Sequence, residues 1–273
     1  MTAWIWNARE SCFEPTEIDG PLLVADSWLV DNGKSLSLDP HRDRFTRSAR
    51  ELGLPVPETD DFWHQLVALV PEEGEWFPRV EFVAPGASGV TPALVFRLRP
   101  APLRTREMKL WIPPFPDPRK NPRIKGPDIP LLNELRQEAK DKHDCDDVLL
   151  YDAEGHVLET GTSSLLWWEG DTLCFPDPTL PILPGTTAHH MLTAARSQGL
   201  PTAQKLIRVP ELCRAEIWTS NALHGLRAVA QLSGDNSTAT AIAQRSRIRT
   251  WQRRLETEAI RSRFYPLNSR GPS

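Results

Sequence analysis

A chain of 273 residues, 40% of them hydrophobic, is long enough to bury one or two cores and too apolar to be disordered throughout. Its formal charge of −4 and pI of about 6.0 give no global positive field for nucleic acid or anionic lipid, so a small anionic metabolite is the expected partner. Cys12, Cys145, Cys174 and Cys213 are scattered without metal-ligand spacing and there is no leader-like N-terminus or long apolar run, so we expect reduced thiols, no metal, no membrane span and a cytoplasmic protein.

In chain order, Ala3–Trp6 and Leu22–Val30 read as strands, the second ending at the turn Asp31-Asn32-Gly33. Asp39-Pro40 reads as N-cap and first residue of a helix to Leu52, stopped by Gly53, with Phe45, Ala49 and Leu52 as its buried stripe. A second helix starts near Thr59 and Asp60, with Phe62, Trp63, Leu66, Val67 and Val70 at helical spacing, and ends at Pro71. Val80–Val83 and Ala93–Leu98 read as strands joined by a Gly/Pro-rich turn.

From Pro100 to Pro130 prolines crowd the chain, which predicts an interdomain crossover, because proline is excluded from central strands and stiffens linkers. The expected division is 1–112, a crossover at 113–130, and 131–273. After it come a helix over 131–142, then strands at Asp147–Tyr151, Val157–Thr160, Leu165–Trp168 and Thr172–Phe175, predicted to form a meander of hairpins. Leu183-Pro184-Gly185-Thr186-Thr187 opens a helix to Gln198. Strands near Lys205–Val209 and Ile217–Ser220 follow, and then a last helix from about Ser237 to Arg263. Seven arginines lie between 245 and 263, but Ile248, Trp251, Leu255 and Ile260 fall at near-helical spacing, which favours an amphipathic helix over a nucleic-acid contact.

Only seven of the 32 basic residues are lysines, so chemistry that needs an amine has few candidates. Lys125 lies in Arg-Ile-Lys-Gly-Pro-Asp just before a helix, and Glu159 follows 34 residues later at the end of a strand, in Glu-Thr-Gly-Thr-Ser-Ser-Leu. Gly185-Thr186-Thr187 puts a glycine turn at a helix N-terminus, a ready anion site. Asp39-Pro-His-Arg-Asp-Arg-Phe45 holds an H-x-x-R element ending at Arg44, and Glu216-Ile-Trp-Thr-Ser-Asn-Ala-Leu223 is a strand running into a short turn.

Taken in this order, over roughly residues 20 to 230, these elements resemble the class IV aminotransferase family, the fold type IV pyridoxal phosphate enzymes. The resemblance implies a two-domain α/β (α+β) fold: a small N-terminal domain and a larger domain with a mixed, largely antiparallel sheet, assembled as a homodimer. It implies pyridoxal 5'-phosphate held as a Schiff base on Lys125, with Glu159 facing the ring nitrogen. Arg44, Gly185, Thr186, Thr187, Asn221 and Ala222 would then hold the phosphate. A carboxylate at the ring nitrogen favours its protonated form, which makes the ring an electron sink, and the lysine moves the proton at the substrate carbon.

Asn221-Ala222-Leu223 is similar to the triplet of the family's 4-amino-4-deoxychorismate lyases, and Pro130 stands where branched-chain aminotransferases carry a tyrosine. These features, with Asp128 as a substrate contact, lead us to expect a lyase forming 4-aminobenzoate and pyruvate for folate synthesis. The alternatives are a transaminase for branched-chain or D-amino acids and a fold retained for interaction without turnover. Two departures stand out: Ala188 replaces the usual arginine after Thr187, and Gly20–Asp26 lacks the aromatic and the glutamate of the family's N-terminal substrate segment.

Overall fold

The computed structural model describes residues 2–36, 38–57, 60–84, 91–234, 237–240 and 245–261. It divides into two compact units, one of Met1–Leu103 with the stretch from Arg254, the other of Arg104–Arg253.

The first unit contains β1 (Thr2–Asn7), β2 (Cys12–Pro15), β3 (Leu22–Ser27), β4 (Val30–Asp31), α1 (Asp39–Glu51), α2 (Asp60–Ala68), β5 (Glu75–Trp76), β6 (Arg79–Val83) and β7 (Ala93–Leu98). Its main sheet is antiparallel throughout, in the order β2-β1-β7-β6-β3. The predicted strand over 22–30 is in fact two: β3 ends at Ser27, and β4 pairs with β5 beside a turn in which Asn32 and Gly33 take positive φ. Helix α1 buries His41, Arg44, Phe45, Ser48 and Ala49, spaced i, i+3, i+4, i+7, i+8. Phe45 stacks on Phe82 with ring centroids 5.7 Å apart. Two details differ from expectation. Asp39 lies inside the first turn rather than capping it, Leu38 being the N-cap without a side-chain bond, and Leu52 is 43% exposed because the helix has already ended at Glu51. Thr59 and the turn at 85–90 lie outside the described residues.

The second unit contains β8 (Glu107–Trp111), α3 (Ile129–His143), β9 (Asp147–Tyr151), β10 (Val157–Thr160), β11 (Ser164–Glu169), β12 (Thr172–Pro176), α4 (Thr186–Ser197), β13 (Thr202–Lys205), α5 (Val209–Leu212), β14 (Glu216–Asn221), β15 (Gly225–Gly234) and β16 (Ser237–Thr240), with α6 (Arg245–Arg261) beginning in it. The sheet order is β10-β9-β8-β15-β14-β11-β12-β13, with β16 on β15. It is mixed: β8 runs parallel to both β15 and β9, and β12 is parallel to β13. The predicted meander is therefore cut in two, because β8, β15 and β14 lie between the β9–β10 and β11–β12 hairpins.

The division between units falls at Leu103/Arg104, ahead of the expected crossover at 113–130, since β8 pairs within the second sheet. Its five residues contain no proline; the prolines only flank it. Ser237 opens a strand rather than the last helix, and the segment predicted as a strand over 205–209 runs from the end of β13 into the short helix α5. Leu165 and Trp167 are buried in one core with Ile217 and Val229, and Leu166 and Trp168 between them are buried too, which is why β11 reads as a near-continuous apolar run. Among the described residues no helix is long and apolar enough to cross a membrane.

Candidate functional site

The lysine singled out by sequence lies on the loop between β8 and α3, and that loop is fastened along its length. Tyr151 donates its hydroxyl to Pro113 O at 2.7 Å, and Asp117 N–H bonds Tyr151 O at 2.8 Å. Arg123 donates to Thr179 O and Leu180 O at 2.8 and 2.7 Å. Asp128, expected to face substrate, is instead buried, and its carboxylate accepts the backbone N–H of Lys120 and Asn121 at 3.2 and 2.7 Å. A carboxylate just before α3, with backbone donors within reach, closes the loop on itself. Lys125 is half-buried on the stretch so held.

Glu159 ends β10 and is 5% exposed. Its hydrogen bonds fall on one oxygen: Oε1 accepts Arg119 Nη1 at 2.7 Å and Leu183 N–H at 2.8 Å, while Oε2 has no hydrogen-bond donor among the described residues. Burial pushes the carboxyl up most strongly; Arg119 and the Leu183 N–H pull it down, Asp117 adds to the upward push, and the net shift is upward. The turn beyond Glu159 is fixed by buried Asp147, whose Oδ2 accepts Thr160 Oγ1 at 2.9 Å, Thr162 Oγ1 at 2.6 Å and Thr162 N–H at 3.1 Å.

Through Leu183, Glu159 also holds the loop that opens α4, where Gly185 is the N-cap, Thr186 is half-buried and Thr187 is buried. A Cβ on Gly185 would stand 2.1 Å from Ser164 Oγ, so any other residue there forces that hydroxyl to move. We expect Gly185→Ala to lower the melting temperature and Ser164→Gly, which removes both atoms nearest that Cβ, to recover much of the loss. Equal loss in the double variant would show that the clash is not the cause.

Asn221 folds its side chain onto its own turn. Oδ1 accepts Leu223 and His224 N–H at 3.0 and 2.8 Å, and Nδ2 donates to Ser163 Oγ at 2.9 Å. Ala222 at the turn is half-buried. His224 is pushed down to about 4, first by burial and then by Arg227, Arg136 and Arg104, so it is neutral near pH 7.

Arg44, the remaining expected phosphate ligand, belongs to the first unit. There it forks Asp26 on β3, Nε to Oδ2 at 2.8 Å and Nη2 to Oδ1 at 2.9 Å, and His41 Nδ1 meets the same Oδ1 at 2.7 Å. Both ends of the H-x-x-R element are thus tied to a single carboxylate. Asp26 comes from the very segment that lacked the expected glutamate.

The second unit thus brings Glu159 together with Arg119 and Leu183, and Asn221 together with Ser163. Sequence reading passed over Arg119, Asp117 and Asp147, because none lies in a periodic or motif-like setting. Arg119 meets Glu159 40 residues on, and Asp147 meets Thr160 and Thr162 13 and 15 residues on.

The family model for amino-transferase class IV matches residues 23–232 of this chain. A bifunctional aminodeoxychorismate lyase / D-amino acid transaminase of Mycobacterium tuberculosis is 25% identical over 249 residues, covering 81% of this chain and 85% of that protein. Among solved structures, a hypothetical aminotransferase of M. tuberculosis in its PLP-bound form superposes with a TM-score of 0.78 at 19% identity, over 95% of this chain and 99% of the other. A branched-chain aminotransferase of Thermoproteus uzoniensis crystallised with norvaline gives 0.75 at 19% identity, over 94% and 93%. At such identities the structural likeness speaks for a shared fold.

Proposed function

Because the chain belongs to the class IV aminotransferases, whose members are pyridoxal phosphate enzymes, we propose that it binds this cofactor and acts as a lyase, converting 4-amino-4-deoxychorismate to 4-aminobenzoate and pyruvate. The residues of the second unit fit the cofactor. They offer an amine on a fastened loop, a buried carboxylate with one oxygen unclaimed, and a helix N-terminus beginning with two threonines. When bound, the pyridine ring supplies an electron sink for the carbon that bears the substrate amine.

Lys125 would hold the cofactor covalently and, as a free amine, would take the proton from the amine-bearing carbon and deliver one to the departing enolpyruvyl group. Glu159 would favour a proton on the ring nitrogen of the bound cofactor. Gly185, Thr186 and Thr187 would meet the phosphate at the N-terminal, positive dipole end of α4, and Ala222 would add the N–H of its turn. Arg44's part in binding the phosphate rests on the motif alone. For the lyase outcome, loss of the proton at the amine-bearing carbon accompanies departure of the enolpyruvyl group as pyruvate, leaving an aromatic ring.

The observation that carries the lyase reading is the Asn221-Ala222-Leu223 turn. Its asparagine is wholly taken up in shaping the turn and binding Ser163, and the M. tuberculosis relative includes lyase activity in its name. That name also favours a second reading, transamination of D-amino acids by the same site. With purified protein and 4-amino-4-deoxychorismate, pyruvate is expected to form without any added keto acid. Absence of pyruvate, together with amino transfer from a D-amino acid to a keto acid, would reverse the order of the two readings. A cytoplasmic homodimer serving folate synthesis completes the proposal, and sedimentation of the holoprotein tests the dimer.

A further inference from the structure

The Arg119 side chain is 4% exposed, and it lies between two carboxylates that are themselves 8% and 6% exposed. Its Nε sits 3.0 Å from both oxygens of Asp117, Nη2 is 2.8 Å from Asp117 Oδ2, and Nη1 is 2.7 Å from Glu159 Oε1. The planar fork is therefore immobilised on one edge by Asp117 and presents the other to Glu159. Asp117 in turn is anchored through its own N–H to Tyr151 O at the end of β9. Leu183 N–H closes on the same Oε1, so donors from two separate stretches of chain converge on one oxygen and leave the other clear of them.

The charges of this buried group sum to one cation and two anions. One negative charge is left without a partner, and burying it is unfavourable unless a cation completes the set. The pyridinium N–H of the cofactor is such a cation, and Oε2 is the atom to which it would bond.

We propose that Arg119 is the positioning residue for the ring-nitrogen carboxylate, fixing the orientation of Glu159 and keeping it charged, so that cofactor affinity depends on Arg119 acting through Glu159. The inference rests on the cofactor reading given above. It goes beyond that reading by assigning the grip on the ring to an Asp117–Arg119–Glu159 set rather than to Glu159 alone. The groups that face Glu159 are Arg119, Asp117 and the Leu183 N–H; the arginine and the N–H favour its charged form, while burial and Asp117 oppose it.

The test is titration of the apoprotein with pyridoxal phosphate, followed by fluorescence quenching and absorbance across pH, with the melting temperature of each apoprotein recorded alongside. Affinity in the wild type should fall on acidification as Glu159 takes up a proton. Arg119→Met should weaken binding by about 10- to 100-fold, the range found for partners that orient a primary ligand, and should move this acid limb to higher pH. Arg119→Lys should restore most of the wild-type profile. Glu159→Gln should abolish the limb, and adding Arg119→Met to it should cost little further affinity, because one interaction is then being removed twice.

Asp117→Asn, which keeps the arginine and removes the opposing charge, should move the limb to lower pH; it covers the case in which Arg119→Met does not fold. Unchanged affinity and acid limb in Arg119→Met, additive losses in the double variant, or a limb moved upward in Asp117→Asn would overturn the role of Arg119 while leaving the cofactor reading intact. A wild type that takes up no pyridoxal phosphate at all would overturn both.

Discussion

Lys125→Ala should lose the covalent link to pyridoxal phosphate: borohydride reduction of the loaded wild type should add the cofactor's mass to the peptide carrying Lys125, and the variant should gain none. Turnover should fall by at least about 10²- to 10⁴-fold, the usual contribution of a positioned proton-transfer group, because the same amine also moves the proton at the substrate carbon. Lys120→Ala is the matched control. Its side chain is exposed on the same loop, and what the loop uses is its backbone N–H, bonded to Asp128. Retention of the adduct in Lys125→Ala, or its transfer to Lys120, would remove the central assignment. A wild-type melting temperature in the variant, together with lost turnover, would separate chemistry from folding. The loop is fastened through Tyr151, Arg119, Arg123 and Asp128, and none of these groups is changed in that variant.

How legible these features were in the sequence depended on how local their causes are. β9 and β10 were read at their observed bounds, since each is a short apolar run closed by turn residues, Gly155 among them with φ of 83°. Helix α1 was legible from Pro40 and Gly53, which act within a turn of themselves. β15 was not foreseen, although at ten residues it is the longest strand. It lies between β8 and β14, both sides of its ladder are occupied, and a mostly buried run with no clean alternation gives no periodicity to read. β16, four residues of Ser, Thr and Ala, is a strand because β15 offers it a partner, which is information held elsewhere in the chain. The proline-rich stretch misled in a similar way: composition read as linker concealed β8, whose parallel neighbours are more than 30 residues away.

The same distinction holds in the candidate site. Lys125, Glu159 and the Gly185 turn were visible because each carries its chemistry in its residue type and immediate context. Asp128 reads as available from its place three residues after a lysine, and its two backbone donors are visible only in the fold. Arg119 belongs to no pattern of spacing at all; its role comes from a carboxylate 40 residues on.

Asp26 shows what such hidden partners are worth. Burial alone would push its carboxyl up, but Arg44 and His41 outweigh that and hold it well below the usual carboxylate range. A carboxyl depressed on folding contributes stability that is fully present above its unfolded pKa of about 3.9 and is lost as pH falls through the folded value. Asp26→Asn should therefore destabilise the protein by about 3–5 kcal/mol near neutral pH, because it removes the carboxylate charge that faces the buried Arg44 guanidinium. Its stability should also fall less steeply below about pH 4 than that of the wild type. Removing both partners should be milder than removing one: Asp26→Asn with Arg44→Met should recover part of the loss, since no unpaired charge remains. Denaturant unfolding across pH reads all three proteins. An Asp26→Asn variant within about 0.5 kcal/mol of wild type, the range of ordinary surface substitutions, would mean that the H-x-x-R element is held by the packing of Phe45 and Ala49 and not by its ion pair.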